Sequence, residues 1–243
     1  MPINKYMVNI IIPMAGEGSR FPKNQYLPKP LINVNGKPMI VRAIESLGID
    51  GQYHFIIRRN DFTNIIKEII SKVVKDPKFI EITQTTEGPA CSALLFRSEI
   101  DNEQELVIAN CDQIMEWDSN LFFHNVRLYD GAVVTYYSDT DKNSYAKIDK
   151  QGRVIEIREK QVISHISLNG IHYWKQGRHF VSSADMMITE DDRAPNGEFY
   201  IGPTYNYMIK QGLEVGIYHI PNEQHHAVGV PLDLENFLKY EKL

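Results

Sequence analysis

Short apolar runs alternate with amphipathic stretches along the first half of the chain. The run VNIIIP at 8–13 is apolar nearly throughout, as expected of a strand buried on both faces. Residues 38–47 carry helical spacing, with Pro38 in the first turn and Gly48 as the stop. A strand follows at 53–57, and then a helix running to about 74. Asp61 is the expected N-cap of that helix, and Phe62, Ile65, Ile66, Ile69 and Ile70 fall on one face. A strand at 79–83, a helix at 89–98 and a strand at 106–110 continue the alternation. Such a pattern predicts an α/β fold with a mostly parallel central sheet flanked by helices, Rossmann-like in plan. After Asp112 the texture changes. The runs 132–137, 145–148, 154–158 and 166–174 are separated by turn signals at 139–143 and 149–152, which predicts a smaller antiparallel β element. Helices at 177–189 and 201–211, a strand at 214–220 and a last helix at 231–240 complete the chain.

Composition narrows the function classes. At 243 residues, 43% hydrophobic and 23% charged, the chain suits one large α/β domain of ordinary globular character. The formal net charge of −5 and the lack of a lysine–arginine block argue against a nucleic-acid partner. Cys91 and Cys111 are too few for a disulfide framework and form no metal-binding pair. No apolar run is long enough to span a bilayer, and 1–7 reads as a loose leader without signal-peptide character, so a cytoplasmic protein without a membrane partner is expected.

The chemistry starts where the first strand ends. In MAGEGSRF at 14–21, Gly16 and Gly18 let backbone N–H groups approach an anion, because no Cβ blocks them. Arg20 offers a fixed, always-charged fork suited to phosphate oxygens, and Lys29, between two prolines, adds a second cation. Gly-x-Gly by itself is equally a strand-end turn. A dinucleotide fingerprint would need a small residue where Phe21 stands, and the P-loop spacing is absent. Asp112, just after the strand 106–110, is placed to hold Mg²⁺ against phosphate oxygens, although an aspartate there also serves as a cap or turn residue. Gln84, at a strand end, offers a donor and an acceptor to a base edge, and Gly88 and Pro89 follow in the same loop; a polar strand end running into a helix start is the plainer account.

PMAGEGSRF followed by LPKPLINVNGKPMI resembles the signature of the sugar-1-phosphate nucleotidyltransferases, a family whose fold is related to the GT-A glycosyltransferases. The resemblance runs from Val8 to Phe237 and is strongest in the first thirty residues. It implies a nucleotide-binding half at 8–117 and an acceptor-binding half at 118–243 within one domain. It also implies a pyrophosphate-releasing reaction between an NTP and a phosphorylated small-molecule acceptor, first of all a sugar 1-phosphate. The cofactor would be Mg²⁺, the setting surface-glycan or capsule precursor synthesis, and a homo-oligomer is compatible with it. Carried residue by residue, it makes Arg20 and Lys29 catalytic and Asp112 the metal ligand, and assigns Met14, Ala15, Gly16, Gly18, Ser19, Gln84, Gly88 and Pro89 to the nucleotide. Glu159-Lys160 matches the family's Glu-Lys-Pro element with Gln161 in place of proline, Gly170 matches the glycine of the acceptor strand, and Glu198 is a candidate for acceptor hydroxyls. Taken alone, Glu159-Lys160 is an ordinary exposed ion pair.

The chain departs from the family's pattern near its end, where Ala227 occupies the place of a second metal-binding aspartate and Asp233 follows six residues later. Two further patterns are set aside. Asp139-Thr140-Asp141 sits in a polar turn, and His225-His226, with His219 nearby, would point to opposite faces of a strand, which suits structural or acceptor-pocket residues better than a zinc site. Other readings remain open: a cytidylyltransferase-type enzyme with a non-sugar phosphorylated acceptor, a GT-A glycosyltransferase consuming an NDP-sugar, or a non-catalytic nucleotide-binding domain.

Overall fold

The fold is that of a computed structural model, which describes residues 8–22 and 24–241; the expected leader at 1–7 lies outside them. In chain order the elements are β1 (Val8–Pro13), β2 (Asn33–Val34), β3 (Lys37–Pro38), α1 (Met39–Leu47), β4 (Gly51–Arg58), α2 (Thr63–Ser71), β5 (Lys78–Ile82), α3 (Pro89–Ala93), α4 (Arg97–Ile100), β6 (Leu106–Ile108), β7 (Gln113–Met115), α5 (Ser119–Val126), β8 (Gly131–Tyr137), β9 (Ser144–Ile148), β10 (Val154–Glu159), β11 (Ile166–Trp174), α6 (Gly177–Thr189), α7 (Thr204–Lys210), β12 (Val215–His219), β13 (His225–Ala227) and α8 (Pro231–Tyr240).

One nine-stranded sheet runs through the chain. β6, β1, β4 and β5 lie side by side and parallel. β11 then pairs antiparallel with both β6 and β8, while β12 lies parallel to β8. β9 pairs antiparallel with β11, and β10 with β9. In consequence only β10 and β11 run against the other strands, and the central sheet is mostly parallel.

Alternation along β1 explains why its sequence is apolar at almost every position. Ile10 and Ile12 enter one hydrophobic cluster with α1, α2 and α5, and Ile11 enters a second with α3, α6 and α7 on the opposite face. A third, smaller cluster joins Phe21 and Ile32 to Val228, Leu234 and Phe237, so α8 packs beneath the loop that follows β1.

Several boundaries differ from the sequence expectation. Asp61 does not cap α2. The Asn60 carboxamide accepts the Phe62 N–H at 2.9 Å and the Thr63 hydroxyl accepts the Asn60 N–H at 2.8 Å, which makes a tight turn that delays the helix to Thr63. The helix expected at 89–98 is two short helices joined by a 3₁₀ turn at Leu94–Phe96. α7 begins at Thr204, after Pro203, rather than at 201. α5, unforeseen in the sequence, is capped by the Asp118 carboxylate, which accepts the Asn120 N–H at 2.8 Å.

Candidate active site

The loop after β1 is pinned at both ends and open between them. Met14 and Ala15 are buried on opposite faces of the sheet, and Phe21 is buried against α8. Between them Gly16, Glu17, Ser19 and Arg20 are exposed, and Gly18 takes a left-handed φ of 63° that lets Phe21 N–H reach Gly18 O at 3.0 Å. Among the described residues, no backbone N–H at 15–20 has a main-chain acceptor. A run of free N–H groups backed by Arg20 is an anion cradle.

Lys29 opens the 3₁₀ turn Lys29–Leu31 and forms an ion pair with Asp112, each side chain being mostly covered. The chain that follows β13 returns to hold this aspartate: Val228 N–H donates to Asp112 O at 2.9 Å. Beside it Gly229 packs so closely that a Cβ would lie 2.3 Å from Asp112 Oδ2 and 3.5 Å from Lys29 Nζ. The need for glycine at 229 was not legible in the sequence, because its neighbour is 117 positions away.

Two cavities meet at Asp112. The first, about 740 Å³, lies between the loop after β1 and the turn after β4; its walls include Gly16, Gly18, Ser19, Lys29 and Arg58. The second, about 1110 Å³, lies over the C-terminal half; its walls include Gln113, Tyr136, Glu159, Gly170, His172 and His225. Arg20, Asn110 and Asp112 line both. The structure therefore brings Arg20, Lys29 and Asp112 together with Gly16, Gly18 and Ser19 on one side, and Asp112 with Glu159 and Gly170 on the other.

Other candidate residues stand elsewhere. Gln84 is exposed at the end of β5 and lines neither cavity. Gly88 has a φ of 138°, and the space its Cβ would need holds the Phe199 main chain, whose carbonyl oxygen would be 2.4 Å away. Pro89 reaches the second cavity. Gly170, with a φ of 94°, makes room for side chains: a Cβ there would meet Asn110 Nδ2 at 2.2 Å and Gln113 Nε2 at 2.9 Å. Lys160 is turned aside. Its ammonium donates to the Tyr200 hydroxyl at 3.0 Å, a bond that raises its pKa, and it does not line the second cavity, whereas Lys142 does. Glu198 is exposed and outside both cavities. The Asp139–Asp141 pair is exposed and lines neither cavity. His226 bonds Glu116 at 3.0 Å and His219 bonds Thr135 at 3.2 Å, so the histidines gather at no common point.

The second cavity holds two groups the sequence did not single out, Gln113 and His172, beside His225. Gln113 Oε1, His172 Nδ1 and His225 Nε2 are buried without a hydrogen-bond partner. Burial holds both imidazoles neutral, with pKa values pushed down to about 3 for His172 and about 4 for His225. Burial also raises the Glu159 carboxyl, partly offset by a hydrogen bond from the Ser144 hydroxyl. Asp233, in the first turn of α8, lines this cavity with Asp112; burial raises its pKa, Arg20 and Lys142 pull it down, and the Asp112 charge pushes it up again. Ala227, at the place of the second aspartate, is exposed on β13 opposite Gln113. Among the described residues no group of three or more His, Cys, Asp or Glu side chains is arranged to hold a metal ion. Asp112 and Asp233 are hard oxygen donors that feel one another across one cavity, a set that suits a divalent cation completed by phosphate oxygens and water. Among the described residues no helix is long and apolar enough to cross a membrane.

A family model described as nucleotidyl transferase matches residues 9–201. The nucleoside-diphosphate-sugar pyrophosphorylase from Vibrio cholerae RC9 is 23% identical, with a TM-score of 0.82 over 95% of this chain and 99% of that one. The inositol-1-phosphate CTP transferase from T. maritima is 13% identical, with a TM-score of 0.71 over 96% of each chain. A UDP-glucose pyrophosphorylase solved with UDP-glucose is 14% identical, with a TM-score of 0.72 over 98% of this chain and 100% of that one. At these identities the likeness shows the fold. No curated protein matches the chain in sequence.

Proposed function

This chain belongs to the nucleotidyl transferase family and is a nucleotidyltransferase, and we propose that it joins an NTP to a phosphorylated acceptor, a sugar 1-phosphate before others, with release of pyrophosphate. The observation that carries the reading is the meeting of two cavities at Arg20 and Asp112. A reaction between two phosphates needs two anion-accepting sites that share a wall where the new bond forms. The triphosphate lies along the free N–H groups of loop 14–19, and the nucleoside extends beyond the first cavity toward the loop that carries Gln84, Gly88 and Pro89. The acceptor lies over Gly170, near Glu159. An acceptor phosphate oxygen attacks the α-phosphorus in line and pyrophosphate departs. Arg20 and Lys29 offset the charge that grows on the leaving group. No general base is needed, because the acceptor phosphate is already ionised. Asp112 would hold a divalent cation, for which Mg²⁺ is our choice, with Asp233 the nearest second carboxylate; such an ion neutralises phosphate charge. The family's usual setting makes surface-glycan precursor synthesis the pathway to examine first.

The acceptor side supports a second reading. With Lys160 bonded to Tyr200 and Ala227 in place of a carboxylate, the acceptor contacts differ from the resemblance, which favours testing non-sugar phosphates as well. Pyrophosphate release should be measured with each ribonucleoside triphosphate and dTTP, against sugar 1-phosphates, inositol 1-phosphate and phosphocholine. Release that requires one NTP and one acceptor is the expected result. Turnover of an NDP-sugar onto a hydroxyl acceptor instead, with no release from any pair, overturns the proposal.

A further inference from the structure

Arg58 closes β4 and lines the first cavity. Its guanidinium has an unusual set of partners. Nε–H donates to the Ala15 carbonyl at 3.0 Å and Nη1–H donates to the Thr83 carbonyl at 3.1 Å. Nη2 is buried and has no acceptor. Among the described residues no carboxylate forms an ion pair with Arg58, although the next residue, Arg59, is paired with Glu81 at 2.9 Å. A half-buried cation that spends its donors on two carbonyls and has no acid beside it is costly unless the arrangement it imposes is used.

What it imposes follows from peptide geometry. A peptide unit is planar and trans, so its C=O and the following N–H point in opposite directions. Tying the Ala15 carbonyl to Arg58 turns the Gly16 N–H away from it, toward the open side of the loop. Tying the Thr83 carbonyl to the same guanidinium turns the Gln84 N–H away in the same manner. Gly16 and Gln84 are both exposed, no heavy atom lies within 4 Å of where a Gly16 Cβ would stand, and neither N–H has a main-chain acceptor among the described residues. One side chain thus sets the orientation of two free donors on two loops and the gap between the loops.

We propose that Arg58 is the positioning residue of the nucleotide site, fixing the Gly16 and Gln84 N–H groups so that they meet a nucleoside triphosphate between loops 14–20 and 83–88. The inference rests on the assignment of that side of the molecule to the NTP. Arg58 touches no reacting atom and acts through the two backbones it holds.

The test is a titration of the full chain with CTP, UTP, dTTP, ATP and GTP in turn, followed by steady-state kinetics with the pair that turns over. For Arg58→Met the KM and Kd for the nucleotide should rise about ten-fold or more, as expected for donors lost to a charged ligand, with the acceptor KM unchanged. Arg58→Lys, able to reach one carbonyl but not both, should fall between. A merely structural arginine gives another pattern: lower melting temperature and lower kcat through a smaller folded fraction, with both KM values as in the wild type. That pattern, or unchanged nucleotide affinity in a folded Arg58→Met protein, overturns the proposal while leaving the nucleotidyltransferase reading intact. Failure of the wild-type protein to bind any of the five nucleotides overturns both.

Discussion

The two cavities that meet at Arg20 and Asp112 are built by opposite means. The first is made from one continuous loop and the ends of neighbouring parallel strands, and its working groups are main-chain N–H groups and cations. The second is assembled from β7, β8, β10, β11, β13 and α8, and beside a few charged groups such as Lys142 and Asp233 its floor carries uncharged side chains with unused hydrogen-bonding capacity. Backbone donors accept any phosphate, whereas side chains at the floor of a cavity can reject a molecule that leaves them unpaired. The difference suggests a division of labour: the first cavity serves the chemistry shared by all NTPs, and the second decides which acceptor reacts.

The sharpest way to break this contrast is Arg20→Ala, the residue at the junction. It should cost about 10²–10³-fold in kcat with the circular dichroism spectrum unchanged; turnover near the wild-type rate would remove Arg20 from the mechanism. Next in size is His172→Phe. The acceptor KM should rise about ten-fold while the nucleotide KM stays fixed, and thermal stability should not fall, because an unpartnered buried nitrogen is replaced by carbon. An effect on both KM values would show that the cavities are not separate in function. A comparison of lysines comes third. Lys142→Ala should raise the acceptor KM by a factor of roughly three to ten, as for one exposed phosphate contact, and Lys160→Ala should change it less. The reverse order would return the acceptor phosphate to Lys160. The smallest effect concerns Glu159. Burial raises its folded pKa above the unfolded value, so the stability tied to its neutral form is full at low pH and is lost as pH rises through the folded pKa. Glu159→Gln should therefore match the wild type in acid and melt higher at neutral pH. Equal melting temperatures throughout would mean that its charge is compensated.

The unequal legibility of the two cavities has a physical cause. The first was readable because its parts are close in sequence: a buried strand, two glycines, Arg20 and Lys29 fall within some twenty residues. The sheet and both long C-terminal helices were also legible, since α6 and α8 begin and end where their apolar spacing does. The Asn35-Gly36 turn between β2 and β3 carried its own signal, both residues having positive φ, yet strands of two residues leave no periodicity. Gln113 and His172 were not legible, because no local pattern marks a polar residue whose partner is a ligand, whereas His225 stood out only as half of a histidine pair. Arg58 and Arg59 are adjacent and carry no local signal that separates them; only the fold distinguishes the arginine that faces Glu81 from the one that holds two carbonyls. Gly88 had a local signal but an unforeseen partner, the Phe199 main chain.

The placement of β11 beside β6 also governs the order in which the molecule can assemble. The strand that flanks β6 is made some sixty residues after it. A nascent chain that has just finished β6 carries Leu106, Val107 and Ile108, fully covered in the native protein, on an unprotected strand edge until residues 166–174 emerge. Closing so long a loop is entropically slow. A chain cut at 117 would leave that edge open for good and should be prone to self-association.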